Sequence, residues 1–203
     1  MVAFSDAAAA SALDTLIASY PYLALFSGTG IDAGSGFTEA AFTSYARVNT
    51  TGLWTPAGGS TPATKANNAT ISFPASGSSG GPNLISWGLY SAASGGTLGF
   101  WDFLGNFDWK PTTFSLASPA VLSQPAHGYT NGDSVVVSQE MGTEGTIPFP
   151  GTPMTVAGVT TDTFTVGVNS TTTGGIMLRK IIQQQIISGL VIRFVSGQLV
   201  VKL

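Results

Sequence analysis

"WGLYSAASGGTLGFW", Trp87 to Trp101, is the stretch whose reading decides the fold. It sets large aromatic residues at both ends of a middle made of Ser, Ala and Gly, and nothing in it titrates near neutral pH. The ends read as two strands. The segment "ASGG", Ala93 to Gly96, reads as the turn between them, because its glycines supply the positive φ that a tight hairpin loop requires. Gly88 inside the first strand predicts a bulge or a close approach of another backbone. A hairpin of this kind, without any acid, base or nucleophile pair, reads as an architectural part.

Working outward, "DAAAASALDTLIASY" predicts one helix, with Ser5 as N-cap, Asp6 at the favourable end of the helix dipole, and Leu13, Leu16, Ile17 and Tyr20 as an apolar stripe ended by Pro21. After Pro21 the pattern turns to short segments of period two: "YLALFSG", "SYARVNT", "ATISFPAS", "NLISWGLYSA" and "TLGFWDFLG". Ile71 and Phe73 share one face, Thr70 and Ser72 the other. At the end, "LVIRFVSGQLVVKL" predicts a hairpin turning at Ser196–Gly197, with Phe194 opposite Leu199, Ile192 opposite Val201 and Leu190 opposite Leu203. Between these parts, residues 112–178 are rich in Thr, Val and Gly. They hold strands of their own, "SVVVSQ", "PMTVAGV" and "DTFTVGV", with turns at "TNGD" and "TTDT". The fold class expected is all-β: a β-sandwich with one N-terminal helix, formed by 1–111 and 179–203 and interrupted by a small inserted β-domain at 112–178.

Composition narrows the function. Hydrophobic residues are 43% of the 203, enough for a packed core, but charged residues are only 8%, where soluble domains carry about 25%. So uncharged a surface fits a protein much of which is covered by partners. The net charge of −3 and seven scattered basic residues argue against nucleic acid. Only Arg179 and Lys180 are adjacent, and they read as a solvated corner. There is no Cys, and a single His makes a zinc site an unattractive reading. No apolar run approaches the roughly 20 residues of a membrane span. The N-terminal stretch lacks a basic region and reads as a poor signal peptide. The sequons at Asn49, Asn68 and Asn169 are those expected by chance in a chain rich in Ser, Thr and Asn.

Catalysis finds little to work with. A nucleophile–base pair would have to use His127, which sits in "AHGYTNGD" and reads as a surface or turn-capping imidazole. Asp102 and Asp108 flank "FLGNF" among Trp101, Phe103 and Trp109, the one arrangement that a glycosidase cleft would share. Asp at strand ends more often caps turns. Glu140 and Glu144 lie in a Gly-rich loop and read as solvated. "SGTGIDAGSG" has the glycines of a phosphate loop without its Lys. Trp54, Trp87, Trp101 and Trp109 are the aromatics that could stack on a sugar, Trp54 for example, although three of them lie in strand-like pieces where burial is the default. The expectation is no enzyme, no catalytic or metal site and no cofactor.

The ordered set "SYARV", Trp54, "NNATISFPASGSSGG", "WGLYSAASGGTL" and "LVIRFVSGQLVVKL" resembles a family of small tailed-bacteriophage virion proteins, often labelled tail fibre or head decoration proteins. The likeness covers residues 1–105 and about 181–203. The intervening stretch is similar to a small module of phage tail and particle proteins, with an "A-H-G-x-x-x-G-D" turn and a "T-D-T-F-x-V" strand. The resemblance implies a structural virion protein at the particle surface. The main expectation is a capsid decoration or cement protein that oligomerises and binds the major capsid protein. The alternative is a tail fibre, tail tip or baseplate component with host-glycan binding. The helix and the apolar C-terminal strand are the expected docking elements.

Overall fold

The computed structural model describes residues 5–28, 36–59, 62–105, 107–137, 153–170 and 173–203. The fold is all-β with one helix, and it divides into two compact units, Met1–Asn106 with Gln184–Leu203, and Phe107–Gln183.

In the first unit, helix α1 (Asp6–Ser19) opens where the Ser5 hydroxyl accepts the Ala8 N–H at 3.3 Å. It buries Ala9, Leu13 and Ile17. Leu16 departs from the predicted stripe and points outward, 37% exposed. Small Ala9 takes a place on the buried face because the spacing 9, 13, 17 keeps one side of the helix against the core. The chain then forms β1 (Tyr22–Phe26), β2 (Val48–Asn49), β3 (Thr64–Ala66), β4 (Ile71–Ser72), β5 (Ser86–Tyr90) and β6 (Leu98–Phe103). A four-stranded sheet runs β2-β1-β5-β6, all antiparallel.

The decisive hairpin is β5–β6. Gly88 pairs with Trp101 and Ser86 with Phe103, and Gly95 and Gly96 take φ of +62° and +73° at the turn. A Cβ on Gly88 would stand 2.7 Å from Phe26 and Leu98 side-chain carbons and 2.9 Å from the Phe100 carbonyl oxygen, so the close approach expected there is present. The register shift lies one residue on, between Leu89 and Tyr90.

"SYARVNT" is mostly not strand. Ser44 has φ +75°, and the Tyr45 hydroxyl turns inward to accept the Leu25 N–H at 3.1 Å, so ladder pairing begins only at Val48. Residues ahead of it cover the rest of β1: the Phe26↔Glu39 bridge is flanked by Ser27 N–H to Thr38 and Ala40 N–H to Leu25 carbonyl bonds.

The second unit is built of β7 (Lys110–Phe114), β8 (Val121–Ser123), β9 (Ser134–Val137), β10 (Met154–Thr155), β11 (Thr163–Thr165) and β12 (Gly174–Ile181). The Ser138 and Gln139 end of "SVVVSQ" lies outside the described residues. The strands run β10-β9-β12-β7-β8-β11. Just past β10, Ala157 bridges to Thr165 of β11 through N–H···O bonds of 2.9 and 2.8 Å. That bridge joins the two ends of the sheet, so the unit is a small closed barrel. Phe114, Leu122, Val135, Phe164, Ile176 and Leu178 fill it. "TNGD" turns at Gly132, φ +94°, and "TTDT" closes with Thr160 N–H on the Thr163 carbonyl at 2.8 Å.

Exit from and return to the first unit meet at one dipeptide. Leu104 N–H bonds the Ile85 carbonyl, and Gln184 bridges Leu84 in both directions. The chain then adds β13 (Arg193–Phe194) and β14 (Val200–Lys202). These do not pair with each other as the predicted hairpin would. β13 pairs with β4 and β14 with β3. The Ser196–Gly197 turn itself exists, with Gly197 at φ +82° and the Gln198 N–H on the Val195 carbonyl at 3.1 Å. What separates its arms is Asn67. Its Nδ2 donates to the Phe194 and Val195 carbonyls at 3.3 and 2.9 Å, and its Oδ1 accepts the Leu199 N–H at 2.9 Å. One amide side chain ties both arms to the segment between β3 and β4, and each arm pairs with a different one of those strands. The four-stranded sheet, both two-stranded ribbons and the helix share one core that includes Leu13, Leu25, Ile71, Phe73, Leu89, Phe194 and Leu199.

Candidate functional site

The most elaborately supported exposed feature of the first unit is the tip of the β5–β6 hairpin, Ser91 to Thr97, uncharged and solvent-facing apart from half-buried Ala92. Arg47 holds it from beneath. Its Nη1 donates to the Ala92 and Gly95 carbonyls at 2.9 and 2.6 Å, and its guanidinium lies 3.5 Å from the Tyr90 ring centre. Nε and Nη2 donate to the two carboxylate oxygens of Glu39 at 2.8 and 2.7 Å. The Tyr45 hydroxyl adds a bond to Glu39 at 2.9 Å.

Burial pushes the Glu39 carboxyl up, but the Arg47 and Tyr45 bonds outweigh it and the net shift is downward. Burial raises Tyr45 and Tyr90. The Arg47 side chain is only 7% exposed. A buried, bidentate, ring-stacked guanidinium is a fixed strut. Its four bonds to the protein make it a positioning residue for the tip.

On the sheet face behind this strut, aromatic rings run in contact from Tyr90 through Phe26 and Phe37 to Trp101 and Phe103, with neighbouring centroids 6.1, 4.7, 5.0 and 5.4 Å apart. Phe37, Tyr90 and Trp101 are half-buried. The residue named first as a sugar platform is elsewhere. Trp54 is buried in the core, where its Nε1 donates to Thr50 Oγ1 at 3.0 Å, and Trp87 is buried as well. Trp54 suits the core because its single polar group, the indole N–H, is satisfied there.

Other candidates resolve into structure. Asp102 lies on β6 of the first unit, where its Oδ1 accepts the Phe103 N–H at 2.8 Å, and Asp108 is exposed ahead of β7 in the second. His127 is not at the surface. It is 5% exposed, stacked on Tyr129, and caps the turn by accepting the Tyr129 N–H on Nδ1 at 2.9 Å. Arg179 and Lys180 are no solvated corner either. Arg179 is buried with its guanidinium 5.7 Å from the Trp109 ring centre, and Lys180 pairs with Asp133 at 2.8 Å. Lys180 keeps its side chain 29% exposed. Glu140 and Glu144 lie outside the described residues.

Among the described residues no cluster of three or more His, Cys, Asp or Glu could hold a metal ion, and no helix is long and apolar enough to cross a membrane. Large apolar side chains remain exposed. The first unit shows Leu16 of α1, Ile187, Val195 and Leu203, and the second shows Leu116 at 63%. The residues that sequence reasoning passed over are Asn67 and Glu39. Nothing in "KANN" or "FTEA" marks either as a hub: Asn67 works mainly through residues at the far end of the chain, and Glu39 through Tyr45 and Arg47 in an irregular segment whose spacing follows no helix or strand period.

A protein family described as Podophage GP4 fiber I protein gp80 matches residues 3–107, just over half of the 203-residue chain. The match ends where the second unit begins. No curated protein and no solved structure matches.

Proposed function

Since the chain belongs to the podophage GP4 fiber I protein gp80 family, we infer that it works as a fibre component of a phage tail rather than as a decoration subunit of the capsid shell. The observation that carries this reading is the family match itself, because it spans α1 through β6, the greater part of the first unit. The described residues supply a second support. Three acidic groups are committed to internal ion pairs, Glu39 with Arg47, Asp14 with Lys65 and Asp133 with Lys180. A surface so poor in charge suits burial against other virion proteins.

The first unit attaches through its apolar outcrops, Leu16 on the helix and Leu203 at the C-terminal strand, to copies of itself or to a neighbouring tail protein. The barrel of the second unit is an added module carried by that body. No chemistry is assigned: the protein is a structural part and not an enzyme, and it holds no cofactor. Quantitative mass spectrometry of purified particles tests the placement. A fibre component is present at the stoichiometry of the tail proteins and remains with tails separated from heads. Abundance matching the major capsid protein, with retention on tailless heads, would return the protein to the capsid.

A further inference from the structure

Inside the barrel, polar side chains meet among apolar walls. The Thr112 hydroxyl donates to Gln124 Oε1 at 2.9 Å, and the Tyr129 hydroxyl donates to the same oxygen at 3.3 Å. His127 stacks on Tyr129 and meets the Phe164 ring edge-on, with centroids 4.9 Å away in both cases. Gln124 is 3% exposed and His127 5%. Donors and acceptors here do not balance. Two hydroxyl protons occupy Gln124 Oε1, which turns the Nε2 hydrogens away from them. His127 Nδ1 accepts the Tyr129 N–H, so the neutral ring carries its proton on Nε2. Gln124 Nε2 and His127 Nε2 are therefore buried donors that no protein acceptor meets.

An unmet buried donor costs about 1–3 kcal/mol, and native interiors seldom leave one. We infer that this barrel holds ordered water whose oxygen accepts from Gln124 Nε2 and His127 Nε2. A neutral acceptor suits the place better than an anion. Both donors are uncharged, and the Asp133 carboxylate is near enough to help raise the Tyr129 hydroxyl, behind the larger effect of burial. Interior water of this kind occurs about once per 27 residues and serves groups that packing leaves unpaired. The apolar rings of Tyr129 and Phe164 would slow its exchange with bulk.

A crystal structure of the full chain at a resolution that shows solvent, together with nitrogen NMR of the imidazole, tests this. The expected result is solvent density within hydrogen-bond distance of both nitrogens, with shifts of the Nε2-protonated tautomer and cross-relaxation between the Nε2 proton and long-lived water. A dry nitrogen at either position, a Gln124 amide turned so that its oxygen meets the His127 proton, or the Nδ1 tautomer would each overturn the inference.

Discussion

At the scale of the residue, Asn67 shows how one side chain can set the course of two strands. Its amide serves carbonyls at Ala69, Phe194 and Val195 and the N–H of Leu199, the bonds to Phe194 and Leu199 being buried and the other two half-buried. Asn67→Ala removes these bonds, leaving the Val195 carbonyl only the Gln198 N–H, and should cost about 2–4 kcal/mol, read as a lowered denaturation midpoint. Gly88→Ala forces a methyl against Phe26, Leu98 and the Phe100 carbonyl. Overpacking of this kind costs about 1–3 kcal/mol, and chemical denaturation measures it. Glu39 gives a pH dependence. Its folded-state carboxyl lies below the unfolded value near 4.5, so its contribution is complete above that value and is lost as pH falls through the lowered folded one. Glu39→Gln should therefore be less stable than the natural chain at neutral pH and should lose less stability on acidification, seen by melting across an acid series. Residue-level reading of the sequence did well at Ser5 and Gly88, whose roles are local. At His127 the turn-capping half of the reading holds and the surface half does not, and the exposed platform considered at Trp54 is absent, because burial is decided by what the rest of the chain brings to a side chain.

At the scale of the element, the helix and the β5–β6 hairpin were legible, and the C-terminal ribbon was legible only in part. Alternation and the Ser196–Gly197 turn forecast strands at the right places. Partner choice escaped, since the competing strands β3 and β4 lie more than a hundred residues upstream and period-two patterning does not say which ladder a strand joins. The strut under the hairpin tip has a consequence for motion. Arg47→Lys keeps the charge but not the fork that grips Glu39 and two carbonyls. Hydrogen exchange at Ser91, whose N–H bonds the Thr97 carbonyl at 3.0 Å, should then accelerate, while exchange in α1 stays unchanged.

For the whole molecule, two cores that share no residue predict two unfolding transitions in calorimetry. Phe164→Ala empties the centre of the barrel core, costs about 3–5 kcal/mol, and should lower one transition and spare the other. Composition placed the edges of the middle segment at 112 and 178, and contacts divide the chain at 107 and 183. The difference is the run into β7 and the end of β12, whose apolar residues resemble those of the body in composition.

Leu104 and Gln184 both fasten to the same pair of residues, Leu84 and Ile85. The body thus offers a socket in which cargo is tied in at both ends within a short span. A foreign domain whose termini lie side by side could be spliced there in place of 107–183 without cutting any ladder of the body. For a phage, that makes new appendages an affair of recombination at one seam, and for the engineer it marks where a tag or a binder could be grafted.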